Sequence, residues 1–186
     1  MNYSLHPPVL ASLIIVRSSP EHTPRSAIRS LALFTVERFG RREARFDIIH
    51  KAFDTDTPRA AIIGGVCSQI PAGAELLVRQ PSMQDCMNMQ RVGSTDIDLI
   101  RRGLPGMTIL PVTVSNAQLV EAGQSLDLDV PAPQSTLIRR SRRAPDTAIA
   151  LWSIYTAAFC RKPESRTLFA AFQAWRLLEQ ARPIPF

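Results

Sequence analysis

Cysteine, lysine and long hydrophobic runs are all scarce in this sequence. The cysteines are Cys67, Cys86 and Cys160, an odd number with no Cys-x-x-Cys spacing. Such a set argues against a disulfide framework or a zinc site and predicts three free, mostly buried thiols in a reducing compartment. The apolar run from Val9 to Val16 is interrupted by Ser12 and is too short to span a bilayer. Because no positively charged start precedes it, we expect no signal peptide and a cytoplasmic location.

Several motifs that would identify an enzyme are also missing. The sequence has no GxGxxG, Walker A, GxSxG or HExxH pattern. Its histidines, His6, His22 and His50, are scattered along the chain. These absences remove the simplest nucleotide-binding, hydrolase and metalloprotease interpretations.

The positive charge is carried almost entirely by arginine. Lysine and arginine together number 22 against 16 acidic residues, a net charge of +6, and only Lys51 and Lys162 are lysines. Arginine makes planar, bidentate contacts with phosphate and carboxylate groups, so the excess predicts an anionic partner. A genome that uses arginine wherever lysine would serve is an alternative explanation that composition leaves open.

Length and composition predict a folded protein, most simply of one domain, and one apolar run predicts the sheet of an α/β fold. At 186 residues, with 45% hydrophobic and 20% charged residues, the chain is large enough for its own core and is unlike a disordered one. The four apolar residues Leu31 to Phe34 predict a buried strand that is covered on both faces and ends near Glu37. Ligands bind beyond the carboxyl ends of strands in open α/β sheets, so this strand predicts the position of a site.

The other expected elements follow in chain order. Residues 1–29 are interpreted as an N-terminal extension that contains a strand or short helix over Val9–Val16. A hairpin strand over 44–53, a helix over 58–69, a strand over 74–78 and helical residues over 82–102 come next. Residues 107–114 are expected to form an edge or kinked strand because Pro111 cannot donate to a ladder. A short helix capped by Ser115 or Asn116 and two apolar-faced helices over 145–160 and 164–182 complete the prediction.

This order of elements resembles the ribonuclease H-like fold and, more narrowly, the DEDD 3′–5′ exonucleases. That family opens with a strand ending in Asp-x-Glu, which Thr35-Val36-Glu37 matches in part. Its His-Asn-x-x-Phe-Asp segment corresponds to Arg79 through Gln84, with Asp85 one place late. Its closing His-x-x-x-x-Asp corresponds to Ser141 through Asp146. The resemblance implies a ribonuclease H-like mixed sheet flanked by helices over 30–162, followed by a C-terminal helix (163–186) packed on this domain.

In that family, four carboxylates hold two divalent metal ions and a histidine acts as general base. The resemblance therefore makes Glu37, Asp85 and Asp146 the catalytic candidates, while Thr35, Gln84 and Ser141 occupy degenerate positions. Only Glu37 and Asp146 remain as metal ligands, and they would hold a metal weakly or not at all. We expect no cofactor, or Mg²⁺ or Mn²⁺ if the protein is active. The two carboxylates have a plainer interpretation as a helix N-cap (Asp146) and a polar strand end (Glu37).

Arginines lie next to the matched segments of the sequence. If the resemblance holds, these arginines lie close together at the edge of the predicted binding site. The predicted nucleic-acid-binding residues are Arg38, Arg41, Arg42, Arg79, Arg139, Arg140, Arg142 and Arg143. Loss of carboxylates beside a gain of arginines suits phosphate binding without cleavage, so the sequence predicts a partner that is single-stranded nucleic acid or a nucleic-acid-processing complex. A residually active, metal-dependent 3′–5′ exonuclease and a structural module for an acidic protein partner remain alternatives, and a solvated basic loop would explain the arginines equally well.

Overall fold

The computed structural model describes residues 9–18, 27–39, 43–54, 56–81, 100–102 and 106–181. The strands are β1 (Val9–Arg17), β2 (Ile28–Phe39), β3 (Glu43–Ala52), β4 (Glu75–Pro81) and β5 (Thr108–Val114). The helices, numbered here in chain order, are α1 (Arg59–Cys67), α2 (Asn116–Ser125), α3 (Leu137–Arg142), α4 (Ala144–Phe159) and α5 (Lys162–Ala181). The helix predicted over 82–102 lies outside the described residues except for its last three, which are helical.

The five strands form one mixed sheet in the order β3-β2-β1-β4-β5. The first three strands are an antiparallel meander, whereas β4 and β5 run parallel to β1. This confirms the predicted α/β class with a mixed sheet flanked by helices. It also shows that residues 9–17 provide the central strand, although the sequence suggested an extension over 1–29. The boundary at residue 30 therefore falls inside the β1–β2 hairpin.

Strand β2 is buried on both faces, as its apolar run predicted. Ala32, Phe34 and Val36 point into the core layer under α4 and α5, while Leu31 and Leu33 point into the layer under α1. This alternation follows from the two-residue period of a strand. It fixes the face on which every later side chain of β2 lies.

The layer under α4 and α5 is built around a group of aromatic rings. Phe34 is fully buried, and its ring centroid lies 5.5 Å from that of Trp152 and 6.0 Å from that of Phe172 in edge-on contacts. Such contacts are favoured by the opposite charge of ring edges and faces. The apolar faces predicted for the last two helices therefore form core, and α5 packs on the same layer as α4.

Local sequence signals explain several element ends. Ser115, one of the two caps that the sequence allowed, caps α2 through a reciprocal capping box with Gln118. Strand β5, which contains Pro111, lies at an edge of the sheet. Pro58 is the N-cap of α1, so this helix begins one residue later than expected. Helix α3 was not predicted. Within the described residues, no helix is both long and apolar enough to cross a membrane.

Candidate nucleic-acid interface

Helix α4 crosses the sheet in the direction opposite to β1, and this direction determines where the predicted site residues lie. Near its amino end, the carbonyl of Ala148 accepts a 2.7 Å hydrogen bond from the buried Ser12 Oγ in the middle of β1. Its carboxyl end, with Tyr155 and Cys160, lines a small cavity together with Leu10 at the start of β1. The first turn of α4 therefore lies toward the carboxyl end of β1.

Glu37 lies at the opposite end of the sheet from that first turn. It pairs with Val9, the first residue of β1, because β2 runs antiparallel to β1. Its neighbours Val36 and Arg38 both line the cavity under α4, so strand alternation points Glu37 to the other face, where Arg45 is its cross-strand partner. Thr35 shares that face with Glu37.

The structure does not bring Glu37 and Asp146 together. Val9, level with Glu37, and Ser12, beneath Ala148, are separated by about 10 Å at roughly 3.3 Å per strand residue. Asp146 lies a further two residues toward the amino end of α4, and on the other face of the sheet. Oxygens that share one divalent cation lie within about 5 Å of each other, because each metal–oxygen distance is about 2.0–2.6 Å. The strand register therefore places Glu37 and Asp146 too far apart to share one metal ion.

Asp146 contacts residues of the loop and helix that precede α4. It lies in the first turn of α4 after Pro145, which is favourable for a carboxylate, and α4 has no side-chain cap. Arg143 Nη1 lies 3.5 Å from its Oδ2, and the backbone N–H of Asp129 donates to its carboxylate. Burial raises the pKa of Asp146, an effect that Arg143 and the Asp129 N–H partly oppose. Asp146 therefore joins α4 to the segment that precedes α3.

Four of the predicted arginines lie together on α3 and at its junction with α4. Arg139, Arg140 and Arg142 are in α3, Arg143 follows directly, and Ser141 lies among them. Arg139, Arg142 and Arg143 are exposed, and Arg140 is half-buried. Helix α3 contacts β1, β2 and α4. We call Arg139, Arg140, Arg142 and Arg143 the α3 arginine cluster.

Arg79 lies at the same end of the sheet as this cluster. It follows Val78, which pairs with Leu13, so it is level with Ile14 in the second half of β1. Leu77, two residues earlier, belongs to the core layer under α4, so alternation places Arg79 on that face. The carboxyl end of β4 and the α3 arginine cluster therefore share one face and one end of the sheet.

Arg38 is not part of this surface. Its Nη2 lies 3.6 Å from Glu164 Oε1 in the first turn of α5, and only 15% of its side chain is exposed. It lies near the amino end of β1, whereas the α3 arginine cluster lies toward the carboxyl end. Arg41, Arg42, Gln84 and Asp85 lie outside the described residues.

Asp129, which was not predicted from the sequence, is the acidic residue at the centre of the cluster. Its Oδ1 accepts a 2.8 Å hydrogen bond from Arg139 Nη2, and its Oδ2 lies 3.1 Å from Arg143 Nε. The bond from Arg139, supported by the nearby charge of Arg143, lowers the pKa of Asp129. No motif marks this residue, because it lies in a proline-flanked loop ten residues from Arg139.

In the part of the chain that the structure describes, no group of three or more His, Cys, Asp or Glu side chains could hold a metal ion. Cys67 and Cys160 are free thiols whose pKa values are raised chiefly by burial, and Cys86 lies outside the described residues. The raised pKa values make these two thiols poor nucleophiles.

Comparisons with known proteins give a likeness of fold alone. No family model matches the chain, and no curated protein matches it. Among solved structures, Thermus thermophilus RuvC is similar at 15% identity and a TM-score of 0.42, over 81% of this chain and 95% of that one. RuvC from the same organism in complex with a Holliday junction substrate is similar at 14% identity and a TM-score of 0.38, over 81% and 96% of the two chains. At these values the likeness concerns the course of the chain and carries no residue roles.

Proposed function

We propose that this protein binds nucleic acid through the α3 arginine cluster and the carboxyl end of β4, on a degenerate DEDD exonuclease-like fold that does not cleave its ligand. The observation that carries the proposal is the α3 arginine cluster itself, which places four arginines within five residues. Guanidinium groups match phosphate oxygens in geometry and release condensed counterions when they bind them. The overall charge of +6 acts in the same direction.

The placement of the carboxylates supports binding over cleavage. Two-metal phosphate chemistry needs carboxylates that converge on a pair of ions about 4 Å apart. Glu37 lies on the other face and at the other end of the sheet, and Asp146 is engaged by Arg143 and by the backbone N–H of Asp129. Glu37 therefore cannot serve as a second metal ligand beside Asp146 near α3.

Binding of labelled single-stranded DNA and RNA, measured by fluorescence anisotropy across a salt series, tests this proposal. Arg142→Gln removes an exposed arginine of the cluster and should weaken binding and flatten the salt dependence by about 0.7 in log–log slope. Arg166→Gln is the matched control, because it removes the same charge from an exposed position on α5. Equal effects of the two variants would contradict a specific role for the cluster.

Incubation of the same oligonucleotides with Mg²⁺ or Mn²⁺ tests the absence of cleavage. We expect the wild-type protein to leave them intact. Digestion that Glu37→Ala or Asp146→Asn abolishes would instead establish the metal-dependent 3′–5′ exonuclease. Binding to an acidic protein, with no salt-dependent binding to DNA or RNA, would establish the interaction module.

A further inference from the structure

Arg139 and Arg143 form a two-arginine clamp on one carboxylate. They are four residues apart, so their side chains project from the same side of the helical turn. Each takes one oxygen of Asp129, at 2.8 Å for Arg139 and 3.1 Å for Arg143. The three side chains remain 57%, 50% and 40% exposed for Arg139, Arg143 and Asp129, respectively. The clamp therefore lies at the surface, where a ligand can reach it.

The loop that carries Asp129 is held in place from several sides. The backbone N–H groups of Leu126 and Leu128 both donate to the carbonyl of Gly123 in α2. Arg176 of α5 donates to the carbonyls of Leu126 and Asp127. The carboxylate of Asp146 accepts a hydrogen bond from the backbone N–H of Asp129 itself. Asp129 is consequently presented to the two arginines by a fixed backbone.

We propose that Arg139 and Arg143 form a phosphodiester-binding site that Asp129 occupies in the free protein, as an intramolecular competitor for the ligand. The inference rests on the proposed function, because the phosphodiester would belong to the bound nucleic acid. A carboxylate and a phosphodiester each carry one negative charge and present two oxygens, so one arginine can serve each oxygen in either case. Exposed ion pairs are weak, so a ligand phosphate can displace Asp129.

Replacement of Asp129 by asparagine tests the competition. Asp129→Asn should tighten oligonucleotide binding about three- to tenfold at low salt, because the phosphate no longer has to displace a carboxylate from the two arginines. Asp127→Asn is the matched control: it removes the same charge two residues away, from a fully exposed side chain that lies 3.8 Å from Arg176. Equal effects of the two variants would overturn the proposal, because they would show only a general change of net charge.

A double-mutant cycle gives a second, independent readout. Because Asp129 neutralises Arg139 in the wild type, Arg139→Gln should weaken binding more in the Asp129→Asn background than alone. An equal loss in both backgrounds would contradict the competition. If Asp129→Asn lowers the stability of the fold, Asp129→Ser serves the same comparison.

Inorganic phosphate separates failure of this inference from failure of the proposed function. In Asp129→Asn, phosphate should shift the Nε–H resonances of Arg139 and Arg143 in NMR spectra, and Arg139→Gln should reduce the shift. If phosphate causes these shifts but no variant binds oligonucleotide, the anion site is supported and the proposed nucleic-acid function is contradicted. If the protein binds oligonucleotide without these shifts, and Asp129→Asn and Asp127→Asn bind it with equal affinity, the proposed function is supported and the anion site is contradicted.

Discussion

The close contact between Gly123 and Val130 gives a sharp prediction about the loop that carries Asp129. A Cβ atom added at Gly123 would lie 2.4 Å from Val130 Cγ2 and 3.1 Å from its Cβ. Favourable carbon–carbon contacts need about 3.5–4.0 Å, so Val130 would have to move by more than about 1 Å. We expect Gly123→Ala to displace Val130 and, with it, the neighbouring Asp129.

The expected magnitude follows from two opposing effects. Overpacking a buried site costs about 1–3 kcal/mol, whereas alanine is favoured over glycine inside a helix by about 1 kcal/mol. Gly123→Ala should therefore lower the free energy of unfolding by about 0–2 kcal/mol. Gly64 in α1 is the matched control, because a Cβ there meets nothing within 4 Å. Gly64→Ala should raise the free energy of unfolding by about 0.5–1 kcal/mol.

Urea denaturation of the two variants measures this difference in the free energy of unfolding. Thermal denaturation should show it as well, at about 2–4 °C of melting temperature per kcal/mol for a chain of this size. Val130→Ala should suppress much of the cost of Gly123→Ala when the two are combined, which a double-mutant cycle would show as a coupling of about 1 kcal/mol. A Gly123→Ala variant as stable as Gly64→Ala would refute the packing argument.

Three further predictions concern the core and Asp146. Phe34→Ala should lower the free energy of unfolding by about 3–5 kcal/mol in urea titrations, because it empties the centre of the aromatic layer; a loss below about 1 kcal/mol would contradict that packing. Ser12→Ala should cost about 1 kcal/mol in the same assay, since it removes one buried hydrogen bond to Ala148; no measurable loss would contradict that bond. The raised pKa of Asp146 means that the folded state holds its proton more tightly than the unfolded chain, so the stability of the wild type relative to Asp146→Asn should rise as the pH falls toward about 4. Denaturation midpoints at a series of pH values check this sign, and a fall in relative stability over the same range would contradict it.

Much of the fold could be predicted because local signals and tertiary structure agree. The apolar run of β2, the Ser115 cap and the proline of β5 each describe a feature that the folded chain keeps. The central position of β1 in the sheet was not predicted, because proline-rich sequence surrounds a run whose pattern fits a strand or a helix equally well. Helix α3 was missed because it spans six residues, too few to establish an apolar period.

The candidate site was only partly predictable, since it depends on the directions of strands. A carboxylate at the end of β2 resembles a site residue in sequence, but β2 runs antiparallel to β1 and brings Glu37 to the amino ends of the parallel strands. The clustering of Arg139 to Arg143 could be read from sequence alone. Their partner Asp129 could not be identified from the sequence, because the conformation of a loop brings it to α3.

The salt dependence of single-stranded oligonucleotide binding by the wild-type protein tests the central claim most directly. Arg140 and Arg142 alone would provide at least two phosphate contacts, which predicts a slope of log affinity against log salt of about −1.4 or steeper. Absence of binding at about 50 mM salt, or a slope near zero, would contradict nucleic-acid binding by the α3 arginine cluster.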